Sequence, residues 1–391
     1  MKTNTRNLIV VAKLFLFLSV FVIPVLGCKE QNLKKNDKPK AQEVIEIGTP
    51  DAVGINAAIL ADMEKEIIAN TYPNIHSVLI SKSGKLVYEK YFKGVDEIWG
   101  DSLGMVQHSQ ERLHDVRSIS KSIVSACVGL AIKQGKIEDV DQKVFDFFPE
   151  HSVYNVGLKS DLTLRHLLTM TSGLEWNEDV PYSDPENSEI RMTSSPDPME
   201  YVLSRPMEIA PGKVWKYNGG TTQLLAAIIK KTTGLAVDEF AGNYLFGPLG
   251  IETFEWTTFP GTEMPAAASG LRLRSQDLLK FGILYAQNGQ WEGEQLLPEA
   301  WITASMKSYV KFGRNNNVGY GYQFWILDAS TIAENQNHPL VAAFGNGDQR
   351  NYWDRPNQLI VVTTAGNYNQ WTIRKNSEAL LKDYIYPSFL D

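Results

Sequence analysis

Val116-Arg117-Ser118-Ile119-Ser120-Lys121-Ser122 is the stretch on which the reading of this chain turns. Ser118 and Lys121 stand three residues apart where an apolar run begins, and residues i and i+3 share one face of a helix. Their Cβ atoms would lie about 5–6 Å apart, so the lysine amine can reach the serine hydroxyl. From Ile119 to Ile132 the run is apolar nearly all round (Ile123, Val124, Ala126, Cys127, Val128, Leu130), the pattern of a helix in the middle of a core. A hydroxyl and an amine at the mouth of such a helix are fixed by packing and partly desolvated. Burial lowers a lysine's pKa and lets it serve as a base, as in Ser-x-x-Lys nucleophiles. The motif is short enough to arise by chance, so the rest of the chain has to support it.

The chain has 391 residues, 43% hydrophobic and 21% charged, enough for one large or two interleaved globular domains. A net charge of −7 with no block of Lys or Arg argues against nucleic acid as a partner. Lys2, Arg6 and Lys13 form a basic start, Leu14 to Ile23 an apolar core, and Val25-Leu26-Gly27-Cys28 an ending that resembles a bacterial lipobox. Residues 1–27 therefore read as a lipoprotein signal peptide, and Cys28 as the lipidated residue. The expected product is exported and held by a lipid anchor on the membrane, facing the periplasm. Residues 28–50 are polar and Lys-rich and read as a flexible tether. Residues 51–391 read as the folded domain. Cys127 falls in the central helix as a small hydrophobe, so there is no disulfide framework.

Helical spacing runs from Ala57 to Asn70, and two strand-like runs, Ser77–Lys82 and Leu86–Phe92, flank Ser83-Gly84-Lys85 as a hairpin. Residues 93–115 look irregular. A short helix is predicted over Thr163–Thr171. Residues 175–200, rich in Asp, Glu, Pro and Ser, read as a surface loop over a cleft, with Trp176 and Tyr182 as candidate lining residues. Further helices are predicted over Thr221–Thr233, Ala236–Phe246 and Gln276–Gln287, the last with Ser275 as N-cap. Strand signals return at Tyr320–Leu327, Leu340–Phe344 and Gln358–Thr364, and Leu380–Ile385 suggests a final helix. Strands at both ends and helices between imply an α+β fold: an antiparallel sheet from the two termini, flanked by helices, with a mostly helical lobe inserted. Ser118 would begin its helix in the cleft between sheet and lobe.

A serine hydrolase also needs a proton relay and an oxyanion hole. Tyr217 stands in Pro211-Gly212-Lys213-Val214-Trp215-Lys216-Tyr217-Asn218-Gly219-Gly220, just before a helix. Its phenol can work as acid or base if a nearby ammonium lowers its pKa; otherwise it fills a gap beside Trp215. Ala343-Phe344-Gly345-Asn346-Gly347-Asp348-Gln349 ends a strand, and its glycines would let backbone N–H groups face a bound carbonyl. The same residues also suit a plain hairpin turn. His76, His108, His114, His151, His166 and His338 show no His-x-x-x-His spacing, so no metal or other cofactor is expected. No Gly-x-Ser-x-Gly elbow is present.

These segments, with Leu167-Leu168-Thr169-Met170-Thr171-Ser172-Gly173-Leu174 and Gly319 to Tyr322, occur in the order of a known family. From about Ile47 onward the chain resembles the serine β-lactamase-related hydrolases of the class C type, which include D,D-peptidases, esterases and 6-aminohexanoate-dimer hydrolases. The resemblance implies a β-lactamase/penicillin-binding-protein-like fold. It implies Ser118 as acylated nucleophile, Lys121 as its base and Tyr217 as proton relay. It further implies the backbone N–H groups of Ser118 and Asn346 as oxyanion hole, with Gly345 against the substrate. Two departures stand out. The family's Tyr-x-Asn reads Tyr217-Asn218-Gly219, and its Lys-Thr-Gly reads Ala343-Phe344-Gly345, which has no charge for a substrate carboxylate. A small ester or amide substrate is therefore expected. A D,D-peptidase or β-lactamase is the alternative, and a non-catalytic binding protein on the same fold a third.

Overall fold

Leu359–Ala365 is largely β-branched and Ile75–Lys82 is apolar at its centre, Val78-Leu79-Ile80, and both are buried on both faces almost throughout. In the computed structural model, which describes residues 45–370 and 375–390, they lie side by side in the interior of a nine-stranded sheet. They pair antiparallel, with Val362 opposite Leu79. An early and a late segment thus meet, as the strand pattern implied. Lys85–Tyr91 and then Glu46–Ile47 extend the sheet on one side, the last pair parallel. Gln349–Asp354, Pro339–Gly345, Trp325–Asp328, Val318–Tyr320 and Val310–Phe312 extend it antiparallel on the other.

The pleat sends alternate side chains to two cores. Leu79, Ile360 and Val362 join the helical lobe, in which Ile119–Lys133, Gly219–Thr233 and Ser275–Ala286 pack together. Val78, Ile80 and Val361 join Leu60, Met63 and Ile67 of the helix Ala57–Ile68 and Leu381 and Ile385 near the C-terminal end. The expected α+β architecture holds.

Several expectations are corrected. The proposed leader, Cys28 and most of the tether lie outside the described residues, but Glu46–Ile47 forms a sheet-edge strand and is not tether. Residues 93–107 form a hairpin, Lys93–Ile98 against Asp101–Gln107, that turns at Trp99-Gly100. The loop read over 175–200 contains two helices, Ser188–Thr193 and Pro198–Ser204, capped by the side chains of Asn187 and Asp197. Ser275 is not the N-cap: Arg274 is, and the Ser275 hydroxyl lies 2.7 Å from that of Ser77. Tyr320–Leu327 is split at Gln323 (φ 66°), whose buried side chain bonds Thr222 and Leu167. Gln349–Asp354 is also a strand although Gln, Arg and Asn open it; those polar side chains have fixed partners, such as Asn351 Nδ2 donating to Leu278 O at 2.7 Å.

Candidate active site

The turn that delivers Ser118 is strained and over-determined. Arg117 has φ 49°, in the left-handed region that side-chain-bearing residues avoid. It stays there because its guanidinium is trapped. Nη2 lies 2.6 Å from Glu97 Oε1 and 3.2 Å from Asp115 Oδ2, and the group stacks on Trp99 and Tyr368. Ser120 Oγ donates to Arg117 O (2.6 Å) and accepts from Leu271 N (3.2 Å). The helix Ile119–Lys133 then begins with Ser118 half-buried and Lys121 buried.

Lys121 Nζ donates to Ser118 Oγ at 3.1 Å and to Ala268 O at 2.9 Å. It also sits 4.9 Å from the centre of the Tyr217 ring. Tyr217 precedes the helix Gly219–Thr233, whose first turn is capped by Asn218 Oδ1 on Thr221 N (3.1 Å). The Tyr217 side chain faces Ser118 across the same cleft. Ser118, Lys121 and Tyr217, 99 positions apart from first to last, therefore meet in one place. The expected lowering of the tyrosine's pKa is reversed. Burial first, and then the Glu178 carboxyl, push it well above the ordinary phenol value, against the opposite pull of Ser118. Tyr217 is therefore protonated at neutral pH.

Two acids missed in the sequence complete this corner. Glu178 Oε2 accepts from Trp176 Nε1 (2.5 Å) and Gly219 N (2.6 Å), and Glu178 Oε1 from Tyr182 OH (3.1 Å). Glu189 Oε1 accepts from Ser269 Oγ (2.8 Å). The two carboxyls crowd together against Gly219, and both are buried. Burial and the Glu189 charge push Glu178 up to about 8. Burial opposes ionisation of Glu189 too, but the Lys121 ammonium and the Glu178 side chain bring it below its ordinary value. At neutral pH the pair thus shares one proton and holds one negative charge beside Lys121. It also explains Gly219: a Cβ there would lie 2.6 Å from Glu189 Oε2, in space the carboxylates fill. The only sequence signal was Asn187 as N-cap of the Glu189 helix.

Gly345 brings the second turn against the first, since a Cβ there would meet Val116 O at 2.2 Å. Asn346 follows, fixed by Asn346 Nδ2 donating to Asn369 Oδ1 (2.7 Å) and Asn369 N donating back to Asn346 Oδ1 (2.9 Å). Arg350 braces the turn through Gly345 O (3.0 Å), Gln349 O (2.8 Å) and Asp348 Oδ1 (2.9 Å). Burial pushes Asp348 up to about 6 although Arg350 opposes it. Asp348 therefore points into the fold as part of this brace.

Ser118, Tyr182, Tyr217, Gly345 and Asn346 line one cleft of about 440 Å³, a size suited to a small molecule. Trp215, Phe312, Trp325 and Phe344 form an aromatic wall, with Trp215 and Phe312 stacked at 3.8 Å. Trp176 does not line this cleft. It is buried under Gly220, and its indole N–H is spent on Glu178, so it supports the acid pair from inside. A larger hollow of about 730 Å³ beside Trp353 and Arg355 lies away from Ser118, so size alone does not mark the site.

A hydroxyl, an amine and a phenol are gathered where a central helix meets the antiparallel sheet of a β-lactamase-like fold. The chain belongs to the Beta-lactamase family, whose model matches residues 75–381. A 6-aminohexanoate-dimer hydrolase of Paenarthrobacter ureafaciens is 26% identical over 202 residues, 48% of this chain and 49% of that protein. The chain thus spans about half the length of this curated relative. Among solved structures, a putative 6-aminohexanoate-dimer hydrolase from Bacillus anthracis superimposes with TM-score 0.65 at 20% identity, covering 83% of this chain and 82% of that one. EstCE1, a hydrolase with promiscuous acyltransferase activity, gives 0.63 at 16% identity, over 82% and 97%. These two likenesses concern the fold.

Proposed function

We propose that the protein is an exported, lipid-anchored serine hydrolase that cleaves neutral ester or small amide bonds through an acyl-enzyme. The observation that carries this reading is the 3.1 Å hydrogen bond between Lys121 Nζ and Ser118 Oγ at the floor of an aromatic-walled cleft. Ser118 Oγ attacks the carbonyl carbon, and its proton passes to the Lys121 nitrogen when that nitrogen holds a lone pair. The backbone N–H groups of Ser118 and Asn346 receive the developing oxyanion. Tyr217, held protonated, gives its proton to the leaving oxygen or nitrogen. Water then attacks the acyl carbon by the reverse path and frees the acid and Ser118. The similarity to a 6-aminohexanoate-dimer hydrolase supports the amide branch.

Ala343 stands where the resemblance places a carboxylate-binding lysine, and it is buried in the sheet. A charge-assisted hydrogen bond contributes about 1.5–3 kcal/mol, so carboxylate substrates face a handicap of roughly 10- to 150-fold. Intact-mass measurement after exposure to a fluorophosphonate, and separately to penicillin, tests the reading. One phosphonate adduct that disappears in Ser118→Ala is expected, with little or no penicilloyl adduct. Rapid labelling by penicillin would favour the D,D-peptidase or β-lactamase reading, and no labelling a binding protein. The anchor rests on Leu26-Gly27-Cys28; membrane partition of the wild type and its loss in Cys28→Ser check it.

A further inference from the structure

Three of the six histidines, separated in sequence, meet behind the nucleophile turn. His76 lies on the strand Ile75–Lys82 and Asp96 on Lys93–Ile98. His108 follows Asp101–Gln107, and His114 opens the two-residue strand before Val116. None of the four side chains is more than 2% exposed. One potential ligand atom from each lies within 4.8 Å of all the others.

Buried polar atoms normally find hydrogen-bond partners. Among the described residues, His108 finds none at either ring nitrogen, and His76 Nδ1, His114 Nδ1 and Asp96 Oδ2 find none either. Except in His108, the opposite side of each group is tied down. His76 Nε2 donates to Val95 O at 2.9 Å, which fixes the proton there and leaves Nδ1 a lone pair. His114 Nε2 lies 3.4 Å from Thr364 Oγ1, and Asp96 Oδ1 accepts from Glu97 N at 2.9 Å. Metal-binding imidazoles are held in this manner, one nitrogen bonded to the protein and the other turned to the ion. Burial above all keeps these rings neutral, with His76 pushed down to about 3 and His108 to about 4.

We propose that His76, Asp96, His108 and His114 form a structural site for a divalent transition-metal ion of the zinc type, separate from the hydrolytic cleft. Three imidazoles and one carboxylate are a four-coordinate nitrogen and oxygen donor set that suits zinc. With Zn–N bonds of about 2.0–2.1 Å, the edges of a tetrahedron measure roughly 3.3–3.4 Å, so the ligand atoms must draw together. His76 and His108 are stacked at 3.7 Å between ring centres, and rotating one of them about its Cβ–Cγ bond supplies the movement. Arg112, with Nε 3.8 Å from Asp96 Oδ2, and Arg272, whose charge also reaches His114 and Asp96, oppose the ion. The buried Asp115 carboxylate favours it, though that group is shared with Arg117 and Arg272. The ion would tie the hairpin Lys93–Gln107 to the sheet and to the segment leading into Ser118. Glu97, which pairs with Arg117, is the neighbour of Asp96 on that hairpin.

The test uses the full chain without a histidine tag, loaded with zinc and exchanged into metal-free buffer. About one zinc per chain by elemental analysis is expected, with a melting temperature several degrees higher than after chelation. His108→Ala should lose both effects, and so should Asp96→Asn, which keeps the side-chain shape. Cobalt loading of the wild type gives a readout that no variant's folding can obscure: visible absorption of a tetrahedral nitrogen and oxygen site. Substoichiometric zinc with an unmoved melting temperature would overturn the proposal. Zinc retained by both variants, or cobalt without those bands, would overturn it equally and leave a stack of neutral core histidines.

Discussion

The Ser118–Lys121 corner and the histidine cluster lie on either side of Arg117, and they handle buried charge in opposite ways. At the corner, Lys121 faces the charge shared by Glu178 and Glu189, and Ser118 and Tyr217 open onto the cleft. In the cluster the three imidazoles are neutral and lack hydrogen bonds at several nitrogens, and all are closed from solvent. Burial penalises an ionised group unless a partner compensates it. The corner can therefore keep an amine and a carboxylate close together as working groups, while the cluster keeps neutral lone pairs. The two meet through Arg117, whose guanidinium is gripped by Glu97 of the hairpin and whose strained backbone sets the height of Ser118.

The sharpest way to break this contrast is to remove the hydroxyl proposed as the nucleophile. Ser118→Ala is expected to lower kcat/KM for short p-nitrophenyl esters by at least about 10³-fold, as loss of a serine nucleophile does. The fold should survive, since Ser118 is half-buried and its Oγ accepts from Lys121, which keeps Ala268 O. Steady-state kinetics and a thermal melt of the same preparation decide it. Wild-type turnover in a folded variant would place the nucleophile elsewhere.

That corner was legible because its two main groups share one helical turn, where spacing alone implies contact. Tyr217 was legible only by the family resemblance, since nothing local says that a loop tyrosine 96 positions after Lys121 will reach it. The sheet was largely readable from its apolar runs; the strand Gln349–Asp354 was not, because its polar side chains are satisfied by distant partners. Glu178 and Glu189 were invisible for a different reason. Acids in a Pro- and Ser-rich stretch look solvated until the partners that bury them, Trp176, Gly219 and Ser269, are in place. The histidines are not legible from local spacing, because two separate strands and a hairpin end bring them together.

Next in size is the phenol. Tyr217→Phe removes the hydroxyl that faces Ser118 but leaves the ring against Trp215 and Trp325. Loss of a positioned proton donor typically costs about 10²–10⁴-fold in rate, so kcat should fall on that scale. The loss should be greater for an amide than for an activated phenyl ester, whose leaving group departs without a proton. Equal losses on both substrates would mean that the tyrosine only positions Ser118.

The smallest expected effect probes the shared proton that distinguishes the corner from the cluster. Glu178 is raised from 4.5 to about 8 in the fold, so its contribution to stability is complete below pH 4.5 and is lost as the pH rises to about 8. Glu189 is lowered, so its contribution is present above 4.5 and is lost as the pH falls below that value. Glu178→Gln is neutral at every pH, and its amide oxygen can still accept from Gly219 N and Trp176 Nε1 while its NH₂ donates to Glu189. The slope from Glu178 should therefore vanish. The melting temperature of the variant minus that of the wild type should climb by a few degrees between pH 5 and pH 8, then level off. A difference that stays constant from pH 5 to pH 9 would mean that Glu178 is ionised throughout. Two carboxylates would then face Lys121, and the corner would hold its charge by some means other than a shared proton.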